Sequence, residues 1–300
     1  MTGVADRRIV LTGLGALGLM GCDRPDRDQD AVIATVPGRR VDFSELEARH
    51  GGRLGLAAYS ERGAVAWRES ERFVYCSTFK MYLAAATLLR IQAGEERLDR
   101  QIAITADDMV NHAPVTEPAI GGGLSVETLM QAVVEVSDNP AANLLLKALG
   151  GLEAMQGFYR SLGDTSTRVD RFEPEMNRLD GDKDTITPVQ SRVNMRRLFL
   201  DPATPLSPDS KDKLLGWMFS SPTGMGRIKA GVPAGWRVAH KTGTGGYGPT
   251  NDIGILYPPT GEPITIAIYY HGVRASSDAQ NEAVIADATR MTLAALGYAA

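Results

Sequence analysis

Apolar positions change period twice along this chain, and the changes divide it. Asp42 to His50 reads as a helix, with Asp42 as cap, Glu45 three residues on and Gly51-Gly52 as the stop. The segments 54–60 and 64–67 are strand-like, and Glu61-Arg62-Gly63 turns between them as a hairpin. Helical spacing then takes over. Met81 to Arg90 is apolar and rich in helix formers, and Val126, Leu129, Met130 and Val133 form one stripe behind a Ser125 cap. Further helical patterns cover 141–149, stopped by Gly150-Gly151, then 152–162 and 187–200. From Trp236 the period reverts to strands at 238–242, 253–257 and 264–270, with the turn Pro258 to Pro263 between the last two. A closing helix runs from Asp278 to about Leu296, where Val284, Ala288, Met291 and Ala295 share a face.

Strands at both ends and helices between them predict an α/β (α+β) fold. One antiparallel sheet, built from both termini and flanked by N- and C-terminal helices, carries an inserted all-helical lobe. The expected boundaries are 41–68 with 219–300 for the α/β lobe and 69–218 for the helical lobe. The active site is expected in the cleft between the lobes.

The first residues read as an address. Asp6-Arg7-Arg8 precedes an apolar run from Ile9 to Met20, too short to span a bilayer comfortably. The arginine pair is of the kind read by the twin-arginine export route. Leu19-Met20-Gly21-Cys22 resembles a bacterial lipobox, with Cys22 as the lipidated residue. Residues 1–22 are therefore expected to be a twin-arginine or lipoprotein-type signal, and the acidic stretch 23–40 a flexible tether. The protein is expected to be exported, as a periplasmic or cell-envelope lipoprotein that touches the membrane only through that anchor.

Composition narrows the functional classes. Of 300 residues, 43% are hydrophobic and 23% charged, as in a soluble globular protein. A net charge of −4 with no basic stripe argues against nucleic-acid binding. Four scattered histidines and two cysteines, Cys22 and Cys76, offer no metal-ligand spacing, so neither a metal nor another cofactor is expected. A lipidated Cys22 would leave Cys76 without a disulfide partner.

The chemistry lies at the edges of the helical insertion. Ser77 and Lys80, three apart at a helix start, share one face one turn apart. An ammonium in an apolar setting loses pKa and can hold or take a serine proton. The spacing alone is weak, because Ser210 and Lys213 repeat it in a polar helix start that reads as structural. Three other stretches stand out: Ser137-Asp138-Asn139, Arg171 to Asn177 with Glu173, and Lys241-Thr242-Gly243-Thr244. Arg227 lies shortly before the last. Each alone is ordinary cap, loop or strand-end chemistry.

Together, S-x-x-K, S-D-N and K-T-G in this order resemble the motif set of class A β-lactamases and penicillin-binding proteins. The Glu173-x-x-Met176-Asn177 loop makes the resemblance one to a class A serine β-lactamase, from about residue 41 onward. The resemblance implies an acyl-enzyme on Ser77, with the oxyanion held by the Ser77 and Thr244 N–H groups. Lys80 takes the Ser77 proton or biases Glu173. Ser137, helped by Lys241, protonates the leaving nitrogen, and Glu173 with Asn177 activates the water that releases the product. Asn139 binds the side-chain amide, while Arg227, Thr242, Gly243 and Thr244 take up the carboxylate end of a small β-lactam substrate. A monomer conferring β-lactam resistance is the implied whole.

Several positions depart from the family pattern. The loop from Asn177 to Pro188 is slightly short, though Arg171 and Asp184 can still pair to staple it. His112 stands where a cleft-wall aromatic or apolar residue is usual, and reads equally as a partly exposed surface residue. Thr250 stands where many members carry the carboxylate-binding arginine, which moves that role to Arg227. Cys76 resembles the cysteine that carbapenem-hydrolysing members link to a residue near Gly245, a partner this chain lacks. Two alternatives stay open: a penicillin-binding carboxypeptidase or transpeptidase, and a β-lactam sensor that is acylated without turnover.

Overall fold

The computed structural model describes residues 37–298, Tyr247 excepted. The expected signal, Cys22 and the tether up to residue 36 lie outside the described residues.

Among the described residues, six strands form one sheet in the order β1 (Gly38–Arg39), β3 (Gly63–Trp67), β2 (Arg53–Ser60), β10 (Ile264–His271), β9 (Pro249–Tyr257), β8 (Arg237–Thr244). Short ribbons pair β4 (Phe73–Val74) with β7 (Thr185–Ile186), and β5 (Gln101–Ala103) with β6 (Gly123–Ser125). β10 pairs antiparallel with β2 on one side and β9 on the other, which joins the two ends of the chain.

The period-2 alternation of these strands builds a core on each face. Leu54, Leu56 and Ala58 pair across with Tyr270, Ile268 and Ile266. They pack with Phe43, Leu46, Val284, Ile285 and Ala288 from helices α1 (Ser44–His50) and, later in the chain, Asp278–Ala295. The opposite set, with Ala267 and Tyr269, joins Ala239, Ile253 and Ile255 in a second core shared with the helices of the middle of the chain. These are α2 (Phe79–Gln92), α3 (Val126–Glu135), α4 (Asn139–Leu149), α5 (Gly151–Ser161), α6 (Pro188–Phe199) and α7 (Pro208–Ser220). The short α8 (Ile228–Gly231) leads into β8, and the terminal helix is α9. At Gly55 a Cβ would stand 2.3 Å from the Phe73 ring, so the absence of a side chain lets the segment before Ser77 cross the sheet.

The expected strands and helices are present, β9 starting four residues early at Pro249, and three further differences have a physical reason. Gly38 and Arg39 pair with Ala64 and Val65, and Ala64 N donates to Pro37 O at 3.2 Å, so the sheet claims the end of the expected tether. α1 starts at Ser44, not Asp42. Phe43, fully buried against Trp67, occupies the cap position, and Asp42 accepts from Ser44 N at 2.8 Å instead. Burial of the aromatic ring outweighs the polar cap. α4 starts two residues earlier than expected, because Asp138 accepts from Ala141 N and thereby draws Asn139 and Pro140 into the first turn.

Candidate active site

Ser77 lies in a 3₁₀ turn, Cys76–Thr78, that feeds directly into α2. Cys76 has φ +48, a strained value for a side-chain-bearing residue. The sheet holds this turn in place. Asn251 Nδ2 donates to Val74 O at 2.9 Å and Tyr75 O at 3.1 Å. A Cβ at Gly243 would stand 2.7 Å from Tyr75 O and 3.1 Å from Thr78 N. Glycine at 243 thus brings the end of β8, with Thr244, against the serine turn.

One helical turn on, Lys80 is fully buried. Its Nζ donates to Ser137 O at 2.7 Å and Asn139 Oδ1 at 2.5 Å, with Ser137 Oγ at 3.4 Å. Glu173 Oε1 stands 3.1 Å away. Burial lowers the Lys80 pKa, and the Glu173 charge opposes that shift. Lys241, equally buried, donates to Thr242 O at 2.9 Å and Ser137 Oγ at 3.2 Å. Burial holds its pKa well below the ordinary lysine range, and the Lys80 charge adds to the effect. The Ser137 hydroxyl therefore sits between two buried ammonium groups.

Ser137 has φ +64, and its loop is fastened on both sides. Asp138 accepts from Val115 N, Thr116 N and Thr116 Oγ1 as well as capping α4. Asn139 N donates to His112 O at 2.9 Å, and the His112 ring donates from Nε2 to Val136 O at 2.8 Å. His112 is exposed, lines the cleft and buttresses the Ser137 loop.

Glu173 is 2% exposed. Asn143 clamps its backbone by accepting from Glu173 N and donating to Glu173 O, both at 2.9 Å. Asn177 Nδ2 donates to Glu173 Oε2, and Oε1 faces Lys80. The short loop is stapled as expected: Arg171 Nε meets Asp184 Oδ2 at 2.5 Å, and Asp184 also accepts from Asp170 N and Arg171 N.

Arg227 is 5% exposed and mostly committed. It donates to Gly243 O at 3.1 Å, Asn251 O at 2.8 Å and Thr244 Oγ1 at 2.8 Å, and pairs with Glu282 at 3.0 Å. These four bonds leave one of the five guanidinium N–H groups free. Thr242 Oγ1 contacts Thr223 Oγ1 at 2.8 Å. Thr250 is buried, with Oγ1 donating to Gly248 O at 3.3 Å, and does not line the cleft.

A cleft of about 550 Å³ runs over this machinery. Ser77, Ser137, Asn139, Asn177, Arg227, Thr242 and Thr244 line it, while Lys80, Glu173, Lys241 and Gly243 lie beneath. The decoy pair is elsewhere: Ser210 N donates to Ser207 Oγ, and Lys213 pairs with Glu127. Cys76 is a buried free thiol beside Gly245, where a Cβ would stand 3.0 Å from Sγ. No His, Cys, Asp or Glu cluster fit for a metal occurs among the described residues.

Residues 39–296 match the model of the beta-lactamase enzyme family. This chain is a class A serine β-lactamase. A beta-lactamase of Mycobacterium tuberculosis is 40% identical over 295 residues, covering 94% of this chain and 95% of that protein. The carbapenem-hydrolyzing beta-lactamase KPC of Klebsiella oxytoca is 40% identical over 260 residues, 85% of this chain and 88% of that one. An ancestral (GNCA) class A beta-lactamase structure shares 46% identity at a TM-score of 0.80, over 84% of this chain and 98% of that one. Three further residues support the site: Asn143 behind Glu173, Glu282 behind Arg227, and Asn251 beneath the serine turn. A polar residue inside an apolar helix, as Asn143 is in Ala141 to Leu146, was the one readable signal among these.

Proposed function

We propose that this β-lactamase opens the lactam by acylation of Ser77 and confers resistance by hydrolysing that acyl-enzyme with water activated by Glu173. The observation that carries the reading is the buried Glu173 carboxylate, its Oε1 paired with Lys80 Nζ at 3.1 Å and its Oε2 held by Asn177 Nδ2. A carboxylate with its backbone clamped and its charge paired to the lysine one turn from the serine is placed to act as a general base. Lys80 links that carboxylate to the serine helix, so one proton network serves both halves of the reaction. Ser77 Oγ attacks the carbonyl, and the Ser77 and Thr244 N–H groups hold the oxyanion. In related chemistry each such donor contributes about 3–4 kcal/mol. The leaving nitrogen takes its proton from Ser137, flanked by Lys80 and Lys241. Arg227 binds the substrate carboxylate through Thr244 Oγ1 and its one free N–H, and Asn139 receives the side-chain amide.

The test separates the steps. Glu173→Ala still acylates but loses general-base help, roughly 10²–10⁴-fold in rate, so the acyl-enzyme accumulates. Intact-protein mass spectrometry with benzylpenicillin reads the adduct. A variant that turns over as fast as the wild type, or that forms no adduct, rules the scheme out.

A further inference from the structure

Two arginines, Arg178 and Arg227, line the cleft, and no carboxylate is among its lining residues. Arg227, with Thr242 and Thr244, is assigned to the ring carboxylate. The Glu173 loop meets the tip of β8, where a Cβ at Gly245 would stand 2.5 Å from Asn177 O. Arg178 follows Asn177, lines the cleft and is exposed. Its carbonyl is engaged, accepting from Arg171 Nη2 at 2.7 Å. Its guanidinium has no ion-pair partner among the described residues. The nearby acids are taken: Asp184 by Arg171, and Asp180 by Arg171 at 3.6 Å and Lys183 at 2.8 Å. Glu175, on the same 3₁₀ turn, forms no ion pair with it.

A lactam held by its ring carboxylate at Arg227 and by its side-chain amide at Asn139 directs the group beyond that amide outward. That group leaves between His112 and the Asn177–Arg178 edge. We propose that Arg178 is a specificity residue for β-lactams whose acylamino side chain carries a second carboxylate, so that the cleft takes a dianion with one anionic group toward each arginine. The inference rests on the substrate orientation proposed above. It concerns binding at a solvent-exposed rim, where a charge pair is worth little in absolute terms but discriminates between substrates differing in one charge.

Three penicillins form the required series: carbenicillin with an α-carboxylate, benzylpenicillin with no α-charge, and ampicillin with an α-ammonium. The readout is kcat/KM for each relative to benzylpenicillin, a ratio independent of the active fraction of enzyme. Arg178→Gln lowers the carbenicillin ratio roughly two- to fivefold, the range of an exposed charge pair. Arg178→Glu lowers it further and raises the ampicillin ratio. In the wild type, 1 M NaCl moves the carbenicillin ratio toward that of Arg178→Gln, because the screening length contracts from about 8 Å to about 3 Å. Turnover of all three substrates with ratios unmoved in both variants overturns this assignment alone. Absence of benzylpenicillin turnover by the wild type overturns it together with the reading beneath it.

Discussion

Asn143→Ala tests whether deacylation depends on how the Glu173 loop is hung. Asn143 is 9% exposed and holds Glu173 by both backbone groups, across 30 residues of chain. Alanine leaves a buried N–H and a buried C=O unpaired, at about 1–3 kcal/mol each. Some water will reach a site beside a cleft, so the expected loss is about 2–4 kcal/mol. For a domain of this size, each kcal/mol moves Tm by about 2–4 °C, which gives a drop of about 5–15 °C. The kinetic effect should be selective. Ser77, Lys80 and the β8 tip keep their contacts, so acylation stays fast. A base displaced by about 1 Å costs on the order of 10²-fold, so acyl-enzyme should build up in rapid-quench mass spectra. Asn143→Asp keeps the acceptor for Glu173 N and loses the donor to Glu173 O, and should fall between. An Asn143→Ala enzyme melting within about 2 °C of wild type, with no acyl-enzyme, would refute the reasoning.

Two other outcomes follow from the same geometry. Burial depresses the Lys80 pKa and Glu173 holds it up, so Glu173→Gln lets it fall further. More neutral amine is then present at a given pH, and the acidic limb of the acylation rate in that variant moves to lower pH. A stopped-flow pH profile in which the limb stays or moves up contradicts the assigned charges. Arg227→Ala should raise KM for benzylpenicillin about tenfold or more, the scale of a lost charge-assisted hydrogen bond, whereas Thr250→Val leaves KM unchanged. Equal effects at both positions would contradict the assignment of the carboxylate to Arg227.

Much of this site was legible because its chemistry demands residue types at short spacing. Ser77 with Lys80, Ser137 with Asn139, and Lys241 with Thr244 are each one turn or one strand end. The Ser210–Lys213 pair shows the limit of that logic: its spacing matches, and only its ion pair with Glu127 and distance from the cleft show it to be structural. The supports were illegible for a different reason. Asn251 reaches Tyr75 across 176 residues and Glu282 reaches Arg227 across 55, so neither leaves a local pattern. The burial of Arg227 was illegible because the carbonyls that receive its guanidinium, those of Gly243 and Asn251, come from distant strands. The same limit applies to the fold. Phe43 displaced Asp42 from the cap because the Trp67 ring that buries it comes from another strand. Gly38 and Arg39, polar in sequence terms, became a strand because an unpaired edge of β3 was waiting for them.

Under the proposed scheme the supports predict that acylation and hydrolysis can be damaged separately. Ser77 and the oxyanion donor at Thr244 stand on one unit, in which Asn251 ties the serine turn to the sheet and Gly243 lets the two backbones touch. Glu173 hangs from the helical lobe, through Asn143 of α4 and the Arg171–Asp184 staple. Lys80, on the helix that follows the serine turn, contacts the Ser137 loop and Glu173. Changes on the sheet side should therefore slow formation of the acyl-enzyme. Changes on the loop side should trap it, and only changes at Lys80 should do both. Under the proposed scheme a fold with the same serine unit and no clamped carboxylate would remain acylated, which assigns the Asn143 clamp to the deacylation step.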